Sequence, residues 1–323
     1  YKPSTVTTPQ LYTTDGVIKT AAMFQISNKS NVTIRGASST NKPILKSLSP
    51  GDGNYIFYAQ RAPGLIIRDI KIDTGEKGMI IDRSNDVTIQ RVDFRNIGWE
   101  ALHIRDGSAR AIIKNNTIQL TGMIRNDRGE GVYIGSDEDK WHPASYVAGT
   151  SYYQPACDNA IIENNVFGPN IGAEAIDVKE GVTGTTIRNN TFDLGLTNTT
   201  LINSTAEKGD SAIDNKGAQT VIMDNDFIVN GNTFIKSAIE SFAVIKQTDV
   251  PNTGYNVWGF RGFYTNNSMV GDNSTQYVVQ ILSYGGAKIG GNVNAVGNLY
   301  FIGSKATPNV TYLTGAACNT PAP

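Results

Sequence analysis

Two kinds of short segment alternate along most of this chain, and a polypeptide that repeats itself in this way is constrained above all to stack its repeats. One kind reads VTIRGASS, LIIRDIKI, VTIQRVDF, AIIKNNTI, AIIENNVF, TTIRNNTF and TVIMDNDF. Each is a short run rich in strand-forming residues, a turn-forming Asn, Asp or Gly, and a second short run. The other kind lies between them: AAMFQI, NYIFYA, KGMIID, EALHIR, EGVYIG, EAIDVK, SAIDNK, SAIESF and QYVVQI. Helical periodicity is scarce. Short strands in a repeat of roughly two dozen residues predict a coil that stacks on copies of itself, an all-β parallel β-helix. A leucine-rich solenoid would need a leucine consensus that is missing, and a propeller would need four strands in a larger repeat. Residues 1–323 read as one such domain.

Setting the second family in register turns each position into a column along the solenoid. Met23, Ile56, Met79, Leu102, Val132, Ile176, Ile213, Ile239 and Val278 are expected inside. Asn116, Asn165, Asn190 and Asn225 are expected to stack at one bend, each amide bonded to the next. The fourth position reads Phe24, Phe57, Ile80, His103, Tyr133, Asp177, Asp214, Glu240, Val279, so polar chemistry occupies only the middle coils. The sixth runs Ile26, Ala59, Asp82, Arg105, Gly135, Lys179, Lys216, Phe242, Ile281. Strand alternation turns both columns outward. Small residues at the second position (Gly78, Ala101, Gly131, Ala175, Ala212, Ala238) are expected to leave a floor between these polar walls, making a groove for an extended ligand.

Long connections cluster over the same coils: Gln119 to Gly129, Ser136 to Asn159, Asp193 to Asp210 and Val244 to Trp258. They carry Trp141, Tyr146, Tyr152, Tyr153, Tyr255 and Trp258, aromatics suited to stacking on sugar rings or to packing the loops down. With 28 Lys plus Arg against 29 Asp plus Glu, no broad field favours nucleic acid, and no apolar run is long enough for a membrane span. Cys157 and Cys318 suit no zinc motif but could form one disulfide in an oxidising compartment. Sequons at Asn28, Asn31, Asn115, Asn189, Asn198, Asn203, Asn266, Asn273 and Asn309 fit a secreted, extracellular glycoprotein, although Asn-rich turns also create them. Tyr1 then reads as the start of a mature or trimmed chain, and a monomer is expected. The glycines of GGAKIGGN precede no helix, which argues against a phosphate loop.

The stretch GAEAIDVKEGVTGTTIRNNTF resembles the Glu-rich segment, lysine and following Asn-Thr-Phe of the alginate lyase and chondroitinase B type of polysaccharide lyase, and GEGVYIGS is similar to that family's preceding coil. The specific likeness covers about Gly129 to Phe227; elsewhere only the general grammar of a right-handed, pectate-lyase-like β-helix is shared. The resemblance implies β-elimination on an acidic, uronate-containing polysaccharide. Lys179 then matches the base that removes the C5 proton, and Glu174 matches a ligand of a calcium that neutralises the sugar carboxylate. That chemistry makes physical sense, because a proton next to an ionised carboxylate leaves only if a cation offsets the developing charge.

Calcium, which favours hard oxygen ligands, suits Glu130, Glu174 and Asp177. Strand parity, however, sets Glu174 and Asp177 on opposite sides unless the backbone bends at Ala175. Gly172 stands where the family has a second acidic ligand, Glu130 where it has an asparagine, and Asn215-Lys216 where it has Arg-His. A lysine base needs a lowered pKa, which the cation and Lys216, one strand spacing of about 4.8 Å away, would favour and which Asp177 and Glu180 would oppose. Tyr133 is placed to protonate the leaving oxygen. His103 and Arg105 are candidates for substrate carboxylate, and Asp177, Asp214, Glu240 and Trp141 for other substrate contacts. Two other functions remain open on the same scaffold: a glycoside hydrolase pairing Asp177 with Asp214 or Glu240, and a carbohydrate-binding solenoid without catalysis.

Overall fold

The computed structural model of the chain describes residues 22–137, 157–242 and 261–320, apart from 274, 284–285, 296 and 306–309, together with a small antiparallel pair, Leu11–Tyr12 and Ile18–Lys19. Trp141 and the other loop aromatics singled out above lie outside the described residues. Three parallel sheets of ten, nine and ten strands run the length of the stack, each coil giving one strand to each sheet. This is the parallel β-helix that the repeat predicts.

Identical residue types stack because the register repeats. Ile34, Ile67, Ile89, Ile113, Ile162, Ile187 and Ile222 pair in sequence through one sheet. In the next sheet Phe167, Phe192 and Phe227 stack with ring centroids 4.8 and 4.6 Å apart. The bend between these two sheets holds a ladder of Asn116, Asn165, Asn190, Asn225, Asn267 and Asn292, two rungs longer than expected. In each of the first five rungs the side-chain amide donates to the next rung's oxygen, and that oxygen also accepts the rung's own backbone N–H. Immediately before the ladder residues, Asn115, Asn164, Asn189, Asp224 and Asn266 take positive φ, the left-handed conformation that Asn and Asp tolerate best. Several sequons therefore begin at turn residues that the coil itself demands.

The third sheet carries the candidate site residues and is called the site sheet below. Its strands include Tyr55–Gln60, Lys77–Asp82, Leu102–Arg105, Val132–Ile134, Ile176–Val178, Ser211–Asn215, Ser237–Ser241 and Tyr277–Ser283. Register from Met79 to Ile239 is as expected, but it slips by one residue at both ends: Phe24, Phe57 and Val279 occupy the inward column in place of Met23, Ile56 and Val278. The fourth-position column is accordingly Gln25, Tyr58, Ile80, His103, Tyr133, Asp177, Asp214, Glu240 and Gln280.

Two further expectations need correction. The small second-position residues are no open floor: Ala101, Ala175, Ala212 and Ala238 are buried within the main core. They are small because the coils close tightly there, a Cβ on Gly78 meeting the Ala101 carbonyl oxygen at 2.2 Å and one on Gly131 the Ala175 oxygen at 2.6 Å. Cys157 and Cys318 are both buried and form no disulfide with each other. Burial pushes the Cys157 thiol up to about 12, and a Cβ on Gly290 would come within 2.9 Å of the Cys318 sulfur.

Candidate active site

Successive coils bring Lys77, Glu100, Glu130 and Glu174 into one column at the point where the chain enters the site sheet, since Gly78, Ala101 and Gly131 each donate a backbone N–H to the next residue of that column. Its first member is neutralised within the column. Lys77 Nζ donates to Glu100 Oε1 at 2.9 Å. Burial alone would raise the Glu100 carboxyl, yet Lys77 and His103 hold it well below its ordinary value.

Among the described residues, Glu130 and Glu174 have no such partner. One carboxylate oxygen from each, and one from Asp177, lie within 4.8 Å of one another, and Glu130 Oε2 is buried with no hydrogen-bond donor. Burial and the charges of Glu100, Asp177 and Glu174 push Glu130 well above the usual carboxylate range; burial, Asp214 and Asp177 push Glu174 to about 8. The parity objection lapses because the strand begins at Ile176, leaving Glu174 in the bend before it, free of pleat alternation. Buried carboxylates crowded together with an orphaned oxygen form a cradle suited to a hard divalent cation such as calcium.

Beside this corner Asp177 is gripped from two coils. Lys216 Nζ donates to Asp177 Oδ1 at 3.1 Å and to Asp214 Oδ2, while Lys179 Nζ stands 3.4 Å from Asp177 Oδ2 and 3.4 Å from Asp137 Oδ2. Lys179 and Lys216 are both buried. Burial would depress both ammonium groups, but for Lys179 the carboxylates of Asp177, Glu180, Asp137 and Asp214 outweigh it, and for Lys216 those of Asp177, Asp214 and Glu180 do. Each is therefore held well above its ordinary value, the opposite of the lowering that a lysine base requires. Tyr133 lies on the coil before Asp177, its ring centroid 5.3 Å from Lys179 Nζ, and burial together with Asp177, Glu130 and Asp137 keeps its phenol protonated. Asp214 and Glu240 follow on the next two strands, pushed up to about 6 and about 7, first by burial and then by neighbouring charges.

Toward the N-terminal coils the polar groups of the same columns mostly pair with one another. His103 stacks edge-on against Tyr133 at 4.3 Å, its Nε2 lies 2.9 Å from the Gly135 carbonyl, and burial lowers its pKa. The Arg105 guanidinium donates twice to Asp82, at 2.6 and 3.2 Å, and the Tyr58 hydroxyl donates to Asp82 at 2.9 Å. The structure thus gathers Tyr133, Lys179, Lys216, Glu130, Glu174, Asp177 and Asp214 into one cluster and puts Arg105 in a separate ion pair. Glu100, Lys77 and Asp137 were missed. The first two were readable in the first letters of KGMIID, EALHIR, EGVYIG and EAIDVK, a charged column that ends at Ser211.

A solved structure of alginate lyase from Paenibacillus sp. str. FPU-7 matches this chain with a TM-score of 0.71 and 32% sequence identity, covering 86% of this chain and 87% of that one. The chain belongs to the β-helix family of that lyase. The family description "Right handed beta helix region" also matches residues 17–142, which fixes the hand of the coil. DFA-IIIase from Arthrobacter chlorophenolicus A6, solved without its lid in complex with GF2, shares the fold at a TM-score of 0.52 and 11% identity; the match covers 84% of this chain and 58% of that one. No curated protein matches the chain by sequence. In this β-helix lyase family member, no helix among the described residues is long and apolar enough to cross a membrane.

Proposed function

We propose that the chain is a polysaccharide lyase that cleaves a uronate polymer, alginate first among the candidates, by β-elimination outside the cell. The observation that carries this reading is the meeting of Lys179, Lys216 and Tyr133 with a three-carboxylate corner, in a chain 32% identical to an alginate lyase. A divalent cation held by Glu130, Glu174 and Asp177 would supply positive charge opposite the sugar carboxylate while the enolate develops. Lys216, kept as an ammonium ion by its acid neighbours, adds fixed charge on the same side. Lys179 takes the C5 proton. The electrons of that C–H bond form the C4–C5 double bond, the C4–O bond breaks, and Tyr133, protonated at working pH, gives its proton to the departing oxygen. Because the acids around Lys179 favour its ammonium form, the free amine is scarce at neutral pH, and turnover is expected to climb on the alkaline side.

One observation favours a hydrolase instead: Asp214 and Glu240, pairing across adjacent strands, both retain protons more readily than ordinary carboxyls, as an acid of a carboxylate pair must. A screen of alginate, glucuronan, pectate and chondroitin sulfate separates the readings. Elimination leaves an unsaturated sugar that absorbs in the ultraviolet, with activity reduced by chelator. Reducing ends without that absorbance would replace the lyase by a hydrolase, and binding without either product would leave a carbohydrate-binding solenoid.

A further inference from the structure

One coil before the acid corner, a tryptophan is ringed by cations. Lys77 Nζ and the Arg128 guanidinium carbon each lie 4.8 Å from the centroid of the Trp99 ring, and that of Arg125 lies at 5.9 Å. Two of the three charges are spoken for: Lys77 by Glu100 at 2.9 Å, and Arg125 by both oxygens of Asp127 at 2.9 and 2.6 Å. Arg128 is exposed and makes no direct ion pair among the described residues; the nearby Asp127 carboxylate, whose charge it feels, is already held by Arg125.

Its position is nonetheless fixed. The backbone N–H groups of Ile124 and Arg125 donate to the Gly98 carbonyl at 3.0 and 3.1 Å, which clamps the connection onto the coil beneath. Asn126, buried at the start of the short 3-10 turn Asn126–Arg128, donates from its side chain to the Leu201 carbonyl at 3.0 Å. Gly129 and Glu130 follow directly, so the unpaired guanidinium and the acid corner are two residues apart on one anchored segment. An arginine steadied on an indole keeps the N–H groups at the edge of its plane free, and that fork matches a carboxylate. With Lys77 and Arg125 already matched by acids, the Arg128 guanidinium is left to take an anion as its complement.

We propose that Arg128, steadied on Trp99, is a carboxylate-binding subsite for a uronate residue next to the one undergoing cleavage. The proposal rests on the reading of the site as one that takes a uronate polymer, and it assigns that site a second point of charge recognition. Direct titration with a saturated uronate oligosaccharide prepared from alginate, with a neutral cello-oligosaccharide as control, tests it apart from catalysis. Arg128→Gln should weaken uronate binding about five-fold, flatten its salt dependence and place the kinetic loss in KM. Arg128→Lys, which keeps the charge but loses the fork, should recover only part of the affinity. Trp99→Leu, checked for an unchanged thermal melt, should weaken binding in the same direction. Wild-type affinity in Arg128→Gln would overturn the subsite. Failure of the chain to yield an unsaturated product, with Arg128→Gln still impaired in binding, would overturn the lyase chemistry and leave the subsite standing.

Discussion

Two stacks of polar side chains run along this solenoid, and they solve the problem of burial in opposite ways. The asparagine ladder leaves nothing unmet: Asn190, for example, donates to the Ile162 and Arg188 carbonyls and to Asn225, and accepts from Asn165. The acid corner leaves Glu130 Oε2 buried without a partner among the described residues and concentrates like charge. Amides can both give and take, so a column of them closes on itself. Ionised carboxylates only accept, so a column of them stays unsatisfied until a cation, a proton or a ligand arrives. The first arrangement serves the fold; the second gives up stability, which the proposed cation and substrate would restore.

The contrast can be broken most severely at Lys179. Lys179→Ala should cut turnover by about 100- to 10,000-fold, as loss of a general base does, while the far-ultraviolet circular dichroism stays that of a β-helix. Activity within a few-fold of wild type would remove Lys179 from the chemistry. On the other side of the comparison, Asn190→Leu should lower stability to denaturant by about 2–4 kcal/mol with little change in turnover, because it strands a backbone N–H and carbonyl groups in the interior. A melt equal to that of wild type would mean that the ladder is ornament.

Acidity provides a milder probe. Glu174 has a folded pKa of about 8 against an ordinary 4.5, so the folded chain binds more protons than the unfolded one between those values. Its contribution to stability is therefore present in full below pH 4.5 and is lost as pH rises toward 8. Melting temperatures of metal-free protein should fall across this interval, and added calcium should flatten the fall; a metal-free melt that rises instead would contradict the crowding of charge. Smallest of all, Glu130→Gln should raise the metal-free stability by about 1 kcal/mol, since it removes a buried acid whose ionisation the crowd opposes, and should abolish any stabilisation by divalent ions. A calcium-dependent melt that survives in Glu130→Gln would dissolve the three-carboxylate site.

The sequence made the ladder and the central columns legible because they repeat one residue type per coil and alternate cleanly between apolar and polar. Register failed at Tyr55–Ala59 for a physical reason: all five residues are buried, on both faces of the strand, and parity cannot be read where neither face is wet. Val278 and Val279 present the same ambiguity. Convergence of Glu174 with Asp177 is expected from the sequence only if the backbone bends at Ala175, because it depends on where the strand starts, which side-chain pattern does not encode. The direction of the Lys179 shift is open in the sequence between Lys216 and the acids of EAIDVKEG; those acids, Asp177 and Glu180, prevail, and Asp137 and Asp214 on other coils add to them. Arg128 had no repeat to betray it; an insertion brings it to Trp99.

The left-handed bends at Asn115, Asn189 and Asn266 have one more consequence. All three begin sequons and lie between the two sheets that do not form the site. An N-linked oligosaccharide added at any of them would leave the molecule along a single edge, clear of the face proposed to meet substrate, so decoration and turnover would not compete for the same surface.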